Sequence, residues 1–315
     1  MMHLLLTLVI ASTVGSREPA PSPGFRLLEW NVSDSAWIRH REESRAVLRH
    51  VDPDIVVLVQ VAAGMTAGGI RDMLVGLRGP ADTTWFVSSR GDGDYEHTVI
   101  ASRDTIRDLP GFARVPYPAA DEAAVRADIP AGEHVPPRDT VSLVRANGAM
   151  VRVGDRSALV VGVHLTCCGA PGSWRETRRR LGAAVVRKRV RETLWHESPP
   201  ALVVAGDLNL VAGRAPLDTL LATVEGLPLG PMRRADAVHP DGWTDWTWDG
   251  RGTPYNGGRL DNVIYSSGSL TVVDACVWDT EFMPPDTLRA HGLAPATSAN
   301  IGRHRPVVVD LRFKT

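Results

Sequence analysis

With 315 residues, 43% hydrophobic and 23% charged, the chain has the composition of a globular protein and can bury the core of one large α/β domain or two small ones. A formal net charge of −1 excludes a global basic field that would gather nucleic acid, so any such contact needs a local Arg-rich face. Three cysteines, Cys167, Cys168 and Cys276, are too few and too badly spaced for a zinc site.

The apolar run from Leu4 to Val14, followed by small Gly15 and Ser16, is too short to span a bilayer and has the length of a signal-peptide core. Export, to the periplasm or the exterior, is therefore expected. Residues 1–16 read as the signal peptide, 17–24 as a polar Pro-rich linker and 25–313 as one domain. No later segment resembles a membrane span. In an oxidising compartment Cys167 and Cys168 could bond to each other, one of them could bond to Cys276, or all three could stay as inert thiols.

Phe25 to Trp30 reads as a strand, Ala36 to Arg49 as a helix and Asp54 to Val61 as a strongly apolar second strand. Met65 to Leu77 reads as another helix, with strands at Thr84 to Ser88 and Thr98 to Ser102 around a Gly-Asp turn. From Asp104 to Asp139 the Pro, Ala and Gly content predicts a long excursion with little regular structure. Strands resume at Val141 to Val144, Met150 to Val153 and Ala158 to His164. A helix follows from Ser173 to Trp195, opened by the capping box Ser173-Trp174-Arg175-Glu176, with Leu181, Val185 and Leu194 as its apolar face. Arg175, Arg178, Arg179 and Arg180 on it read as a solvated charged face, a subset of which could line a phosphate cleft. Ala201 to Ala205 is a short buried strand between Pro199-Pro200 and Gly206. The Trp243, Trp246 and Trp248 loop is either an aromatic wall for a ligand or core packing. Leu260 to Tyr265, Leu270 to Trp278 and Pro306 to Leu311 complete the strands. Strands outnumber helices without βαβ alternation, which favours two packed sheets flanked by helices over a Rossmann layout.

Polar residues stand at the ends of several of these apolar strands. Asn31 follows the first, His164 follows Val160-Val161-Gly162-Val163, Asp207 and Asn209 follow the Ala201 run, Asp261 opens Asp261-Asn262-Val263-Ile264, and His304 precedes Arg305-Pro306-Val307. Strand-end residues can converge at one edge of a sheet sandwich. A carboxylate and a carboxamide two positions apart suit phosphate-ester chemistry, in which an acceptor orients the nucleophile and a neutral donor holds a phosphoryl oxygen.

The segments Trp30-Asn31-Val32, Val163-His164-Leu165, Gly206-Asp207-Leu208-Asn209, Arg259-Leu260-Asp261 and His304-Arg305-Pro306-Val307, in this order, resemble the endonuclease/exonuclease/phosphatase superfamily, the DNase I-like phosphoesterases. The resemblance spans about residues 25 to 313. It implies a four-layer α-β-β-α sandwich of two mixed or antiparallel sheets, and hydrolysis of phosphate esters, usually with magnesium. It further implies that His304 acts as general base or transition-state stabiliser, that Asp261 orients it, and that Asp207 orients the nucleophile. By the same resemblance His164 donates to phosphoryl oxygens, and Asn31 and Asn209 hold phosphate oxygens or a neighbouring carboxylate. A mid-chain Tyr or His position has only Tyr95 and His97 as candidates.

The departures concentrate on the metal. Where the superfamily has a metal-binding Glu at the end of its second strand this chain has Gln60, and where it has Asp before the terminal His this chain has Arg303. An Asp expected two residues after Asn31 is Ser33, with Asp34 next. Magnesium prefers one or two carboxylates, so three readings follow: weak metal binding through Asp207, Asp34 or Gln60; an Arg303 guanidinium clamping phosphate in place of the cation; or a degenerate site. The function expected is an exported phosphoesterase acting by water attack; its alternative is a non-catalytic binder of a phosphate-bearing ligand. Nucleic acid, phospholipid and sugar phosphate all stay open as substrates.

Overall fold

The computed structural model describes residues 24–91, 96–136, 139 and 142–314. The expected signal peptide, and all of the linker but Gly24, lie outside them. In chain order the strands are β1 (Gly24–Asp34), β2 (Ile55–Ala62), β3 (Phe86–Gly91), β4 (Glu96–Ser102), β5 (Ile106–Asp108) and β6 (Arg145–Val153). They continue with β7 (Arg156–His164), β8 (Leu202–Asp207), β9 (Met232–Arg234), β10 (Asp261–Ser266), β11 (Leu270–Val277) and β12 (Val307–Phe313). They form two six-stranded sheets, ordered β11-β12-β1-β2-β4-β3 and β5-β6-β7-β8-β10-β9. Each sheet is mixed, with β1 parallel to β2 in one and β7 parallel to β8 in the other.

The helices are α1 (Ala36–Arg39), α2 (Arg41–Val51), α3 (Ala67–Leu74), α4 (Ala119–Ala127), α5 (Trp174–Glu197), α6 (Ala215–Leu221), α7 (Pro285–Ala290) and α8 (Thr297–Ile301). Three apolar clusters define the layers. Leu48, Ile70, Met73 and Leu288 from helices cover the outer face of the first sheet, and Val186, Val190, Leu217 and Leu220 cover the second. Phe25, Leu27, Val57, Val160, Val203 and Val309 fill the space between sheets. Period-two alternation makes this possible, because each central strand gives one row to the inner core and the other to a helix layer. The result is the expected four-layer α-β-β-α sandwich.

Local departures have physical causes. The helix expected over 36–49 is broken at His40, which is neither helical nor extended (φ −105°, ψ 48°). Residues 104–139, expected to be irregular, hold β5, a 3-10 turn at Pro110–Phe112 and α4. Strand β6 replaces the two short strands expected at 141–144 and 150–153; Leu143 makes only an isolated bridge to Pro116. In α5 the Ser173 side chain accepts from Glu176 N (3.3 Å), while Glu176 reaches back to Gly172 N (2.5 Å). Such a cap is worth about 1 kcal/mol. The buried face of α5 runs through Ala183, Val186, Val190 and Leu194, with Leu181 and Val185 only at its margin. Arg178 and Arg179 belong to the buried face too, which overturns the reading of that stretch as solvated. Among the described residues no helix is long and apolar enough to cross a membrane.

Candidate active site

At one end of the sandwich the inner row of each central strand changes from apolar to polar. On β1, Phe25 and Leu27 give way to Glu29 and Asn31; on β8, Val203 and Ala205 give way to Asp207. Ile100 and Thr98 lead to Glu96 on β4, and Val160 and Gly162 lead to His164 on β7. Register aligns the second sheet's contribution into one transverse row: Arg145 pairs with His164, His164 with Asp207, and Asp207 with Asp261. Gly206, at φ +145°, makes that row possible. A Cβ there would lie 1.9 Å from the Val163 carbonyl oxygen, so only glycine lets β7 and β8 approach at this point.

Two acid-backed imidazoles face one oxygen. His304 Nδ1 lies 2.8 Å from Asp261 Oδ2, and its Nε2 is 3.9 Å from Asp207 Oδ2. From the other side His164 Nε2 lies 3.8 Å from the same Asp207 oxygen, and its Nδ1 is 3.3 Å from Glu96 Oε2. Arg145 Nη1 meets the other Glu96 oxygen at 2.6 Å. Asn31 Nδ2 donates to Asp207 Oδ2 (2.9 Å) and Asn209 N to Asp207 Oδ1 (2.8 Å). The Nε2 separations are too long for direct hydrogen bonds but suit one shared water or phosphoryl oxygen. Burial pulls the His304 ring toward its neutral form, but the Asp261 carboxylate outweighs it and holds the ring's proton above the ordinary value of 6.5.

The frame around His304 is dense. Thr247 Oγ1 donates to Asp261 Oδ2 (2.6 Å) and accepts from the Asp261 amide (2.9 Å). Trp30 Nε1 reaches the His304 carbonyl at 3.3 Å. Arg305, fully buried, donates to Asp279 (2.7 Å) and Asp249 (3.3 Å) and lies 5.3 Å over the Trp246 ring. Trp246 also packs on His239 and Phe282. That tryptophan anchors the loop, whereas Trp243 stands 84% exposed. Arg303 is exposed and directs Nη1 at the carbonyls of Asp249 (3.0 Å) and Arg251 (2.8 Å). That contact binds the loop and leaves no support for a guanidinium substituting for the cation.

The remaining candidates are placed as follows. Asn209 lies beyond the end of β8 in the left-handed region (φ 49°) and donates its amide to the Leu165 carbonyl (2.9 Å), so strand alternation does not relate it to Asp207. Gln60 is half-buried at a bulge of β2, also left-handed (φ 56°). Asp34 closes β1 where it pairs with Val61; its side chain lies outside the described residues, as does Tyr95. His97 contacts Ser89 Oγ (3.1 Å) and the Ala63 carbonyl (2.8 Å), a structural role on the side of β4 opposite Glu96. Cys167 and Cys168 are bonded to each other, and Cys276 is free. Burial pushes the Cys276 thiol up to about 12, which suits an inert side chain.

No protein-family model and no curated protein matches the sequence. Solved structures do. An endonuclease/exonuclease/phosphatase from Bacteroides vulgatus superposes with a TM-score of 0.60 at 17% identity, over 92% of this chain and 99% of that one. The human Nocturnin catalytic domain with bound sulfate gives 0.56 at 15%, over 93% and 96%. A 3′ phosphatase, NExo, from Neisseria, bound to product DNA hairpin, gives 0.55 at 19%, over 92% and 100%. The chain has the endonuclease/exonuclease/phosphatase fold.

Within that fold four buried groups stand out that strand-end reasoning passed over: Glu96, Arg145, Thr247 and Glu29. Glu29 is fully buried, with neither carboxylate oxygen hydrogen-bonded. Burial, reinforced by the charges of Asp261 and Asp207, holds its acid well above the ordinary 4.5. The alternation that places Asn31 inward also places Glu29 inward, and that was its signal in the sequence. Asp207, Asp261 and His304 offer ligand atoms within 4.8 Å of one another, all buried. The two carboxylates are the hard anionic donors that a divalent cation takes.

Proposed function

We infer that the protein is a hydrolase of phosphate esters that works by direct attack of water. The observation that carries this reading is the convergence of two acid-backed imidazoles on Asp207 Oδ2, at 3.8 and 3.9 Å. With Nδ1–H donated to Asp261, a neutral His304 ring keeps its Nε2 lone pair for the proton of the attacking water. Asp207 Oδ2 accepts the water's other proton and fixes its direction. His164, its Nδ1 3.3 Å from Glu96 Oε2, turns Nε2 toward the phosphoryl oxygen, where charge accumulates. The carboxylates of Asp207 and Asp261, with the uncharged oxygen of Gln60, would hold a divalent cation, magnesium by preference. Such an ion supplies Lewis-acid polarisation of the phosphoryl group. Losing the Glu charge at Gln60 makes that binding weak.

Export is proposed on the apolar N-terminal run together with the Cys167–Cys168 bond, which persists in oxidising compartments. For substrate, a nucleic-acid phosphate is the first choice to try, since two proteins of this fold are seen with DNA products. Phospholipid and sugar phosphates follow. The test is hydrolysis of bis(4-nitrophenyl) phosphate, 4-nitrophenyl phosphate and a 3′-phosphorylated DNA hairpin, each with magnesium and with EDTA. Turnover lost with EDTA and restored by magnesium is expected. No turnover under any condition, with retained phosphate binding, would replace the hydrolase by a phosphate-ligand binder.

A further inference from the structure

Residues Leu165 to Gly169 lead from His164 toward α5; the Leu165 end of this loop is tied to the catalytic row and the Cys168 end to α5. Leu165 N donates to the Asp207 carbonyl (2.9 Å), and the Leu165 carbonyl holds the Asn209 amide (2.9 Å). Arg179, 1% exposed on α5, sends Nη1 to the carbonyls of Thr166 (2.9 Å) and Cys168 (2.8 Å), one on either side of Cys167. The Cys167–Cys168 disulfide closes a ring across the same peptide. Cys168 sits at φ +68° and Gly169 at +83°. A Cβ on Gly169 would lie 2.4 Å from Ser173 Oγ, so the loop is pressed on the helix start and has little room to shift while the ring is intact. Cys168 is exposed and Cys167 half-buried.

We propose that Cys167–Cys168 is a thiol–disulfide exchange site at which an external dithiol opens the ring and releases the loop that positions His164 and Asn209. A thiolate of the dithiol attacks the exposed Cys168 sulfur, forming a mixed disulfide and expelling the Cys167 thiolate, which takes up a proton. The second thiolate of the reductant then attacks its own sulfur in that bond and expels the Cys168 thiolate, protonated in turn. Two electrons pass from the dithiol to the pair, and the reductant leaves as a disulfide. Once the ring opens, nothing covalent holds Cys168 in a left-handed conformation that non-glycine residues rarely adopt. Its carbonyl then leaves Arg179, and the guanidinium, buried away from water, draws Thr166 and Leu165 with it. The half-buried Cys276, on β11 opposite Val308, takes no part.

The effect on turnover rests on the phosphoesterase reading; the release of the loop does not. The full chain is treated with dithiothreitol, desalted anaerobically, and compared with untreated protein and with a C167S/C168S variant. Alkylation of Cys167 and Cys168 is expected only after reduction. Amides 165–169 should then exchange about tenfold faster. Hydrolysis of bis(4-nitrophenyl) phosphate should fall about tenfold, as a small misplacement of a catalytic group produces, and return with oxidised glutathione. The double variant should match the reduced protein whatever the reagent. Alkylation without reductant, unchanged amide exchange on reduction, or a double variant that behaves like the oxidised protein would each overturn the proposal. Unchanged turnover in an active preparation would do the same. In a preparation with no turnover on any phosphoester, amide exchange alone decides.

Discussion

His304 and His164 approach the same carboxylate oxygen at nearly equal distance, 3.9 and 3.8 Å, yet their acids are built differently. Asp261 is fully buried, accepts from His304 at 2.8 Å and from the neutral Thr247 hydroxyl at 2.6 Å. Among the described residues no Arg or Lys is paired with it, and its carboxylate acts on the ring. Glu96 is equally inaccessible, but Arg145 takes one of its oxygens at 2.6 Å while His164 stands at 3.3 Å from the other. Its charge is already matched, and it acts on His164 mainly by orientation. In the proposed mechanism one pair holds and moves a proton and the other aims a donor.

The sharpest way to break this distinction is to remove each ring's support in turn. H304A should lower kcat by about 10³-fold, the scale of a lost general base, measured on bis(4-nitrophenyl) phosphate; D261N should come close to it with KM little changed. If D261N were no worse than E96Q, the two pairs would be equivalent and the division of labour wrong. E96Q should cost less in kcat but more in stability. It removes the carboxylate from a buried ion pair, a change that costs about 3–5 kcal/mol in comparable pairs, read as a fall in the denaturant midpoint. E96Q/R145M should recover much of that stability while kcat stays low, because His164 remains unoriented. Full recovery of both would make Glu96 a purely structural residue.

pH sharpens the comparison further. His304 keeps its proton above the ordinary 6.5 because Asp261 outweighs burial. As a base it must be neutral, so kcat should rise with pH through a midpoint above that of a free imidazole, and D261N should move this midpoint down. A midpoint unmoved by D261N would assign the limb to another group. Stability has the opposite sign. A raised histidine binds its proton more tightly folded than unfolded, so the contribution of the His304–Asp261 pair is complete below the unfolded value and is lost as pH rises through the folded one.

The same contrast explains what was legible in the sequence. Asn31, His164, Asp207, Asp261 and His304 stand at or just beyond the ends of apolar runs, and the four-layer sandwich follows from the number and spacing of those runs. Glu96 was hidden because the apolar run Val99-Ile100-Ala101 begins only three residues after it. Only alternation through Thr98 would have extended β4 that far. Arg145 lies ahead of Asn147-Gly148, a dipeptide typical of hairpin turns, yet here mid-strand: Asn147 bonds to Ser88 across the sheets, and Gly148 lies beneath the Phe112 ring. Arg178 and Arg179 looked solvated because their partners, carbonyls of Asp139, Thr166 and Cys168, come from loops that carry no pattern. The bulges at Gln60 and Ser33 reorient the metal-side residues at points where period-two counting fails.

Glu29 supplies the smallest and most specific test. It belongs to neither pair, and it has no hydrogen-bond partner for either oxygen; burial and the nearby Asp261 and Asp207 hold its acid well above 4.5. Its sign is opposite to that of a salt-bridged carboxylate. Because the folded state keeps the proton longer, stability falls as pH rises from the unfolded value toward the folded one. Glutamine has the same shape and no proton to lose. E29Q should therefore match the parent near about pH 4 and exceed it increasingly toward about pH 8 in urea midpoints, with turnover nearly unchanged. Parallel curves would mean that Glu29 is ionised in the folded protein and that some positive charge compensates it. In that case magnesium should stabilise the parent more than E29Q, which would add Glu29 to the groups that favour a cation beside Asp207.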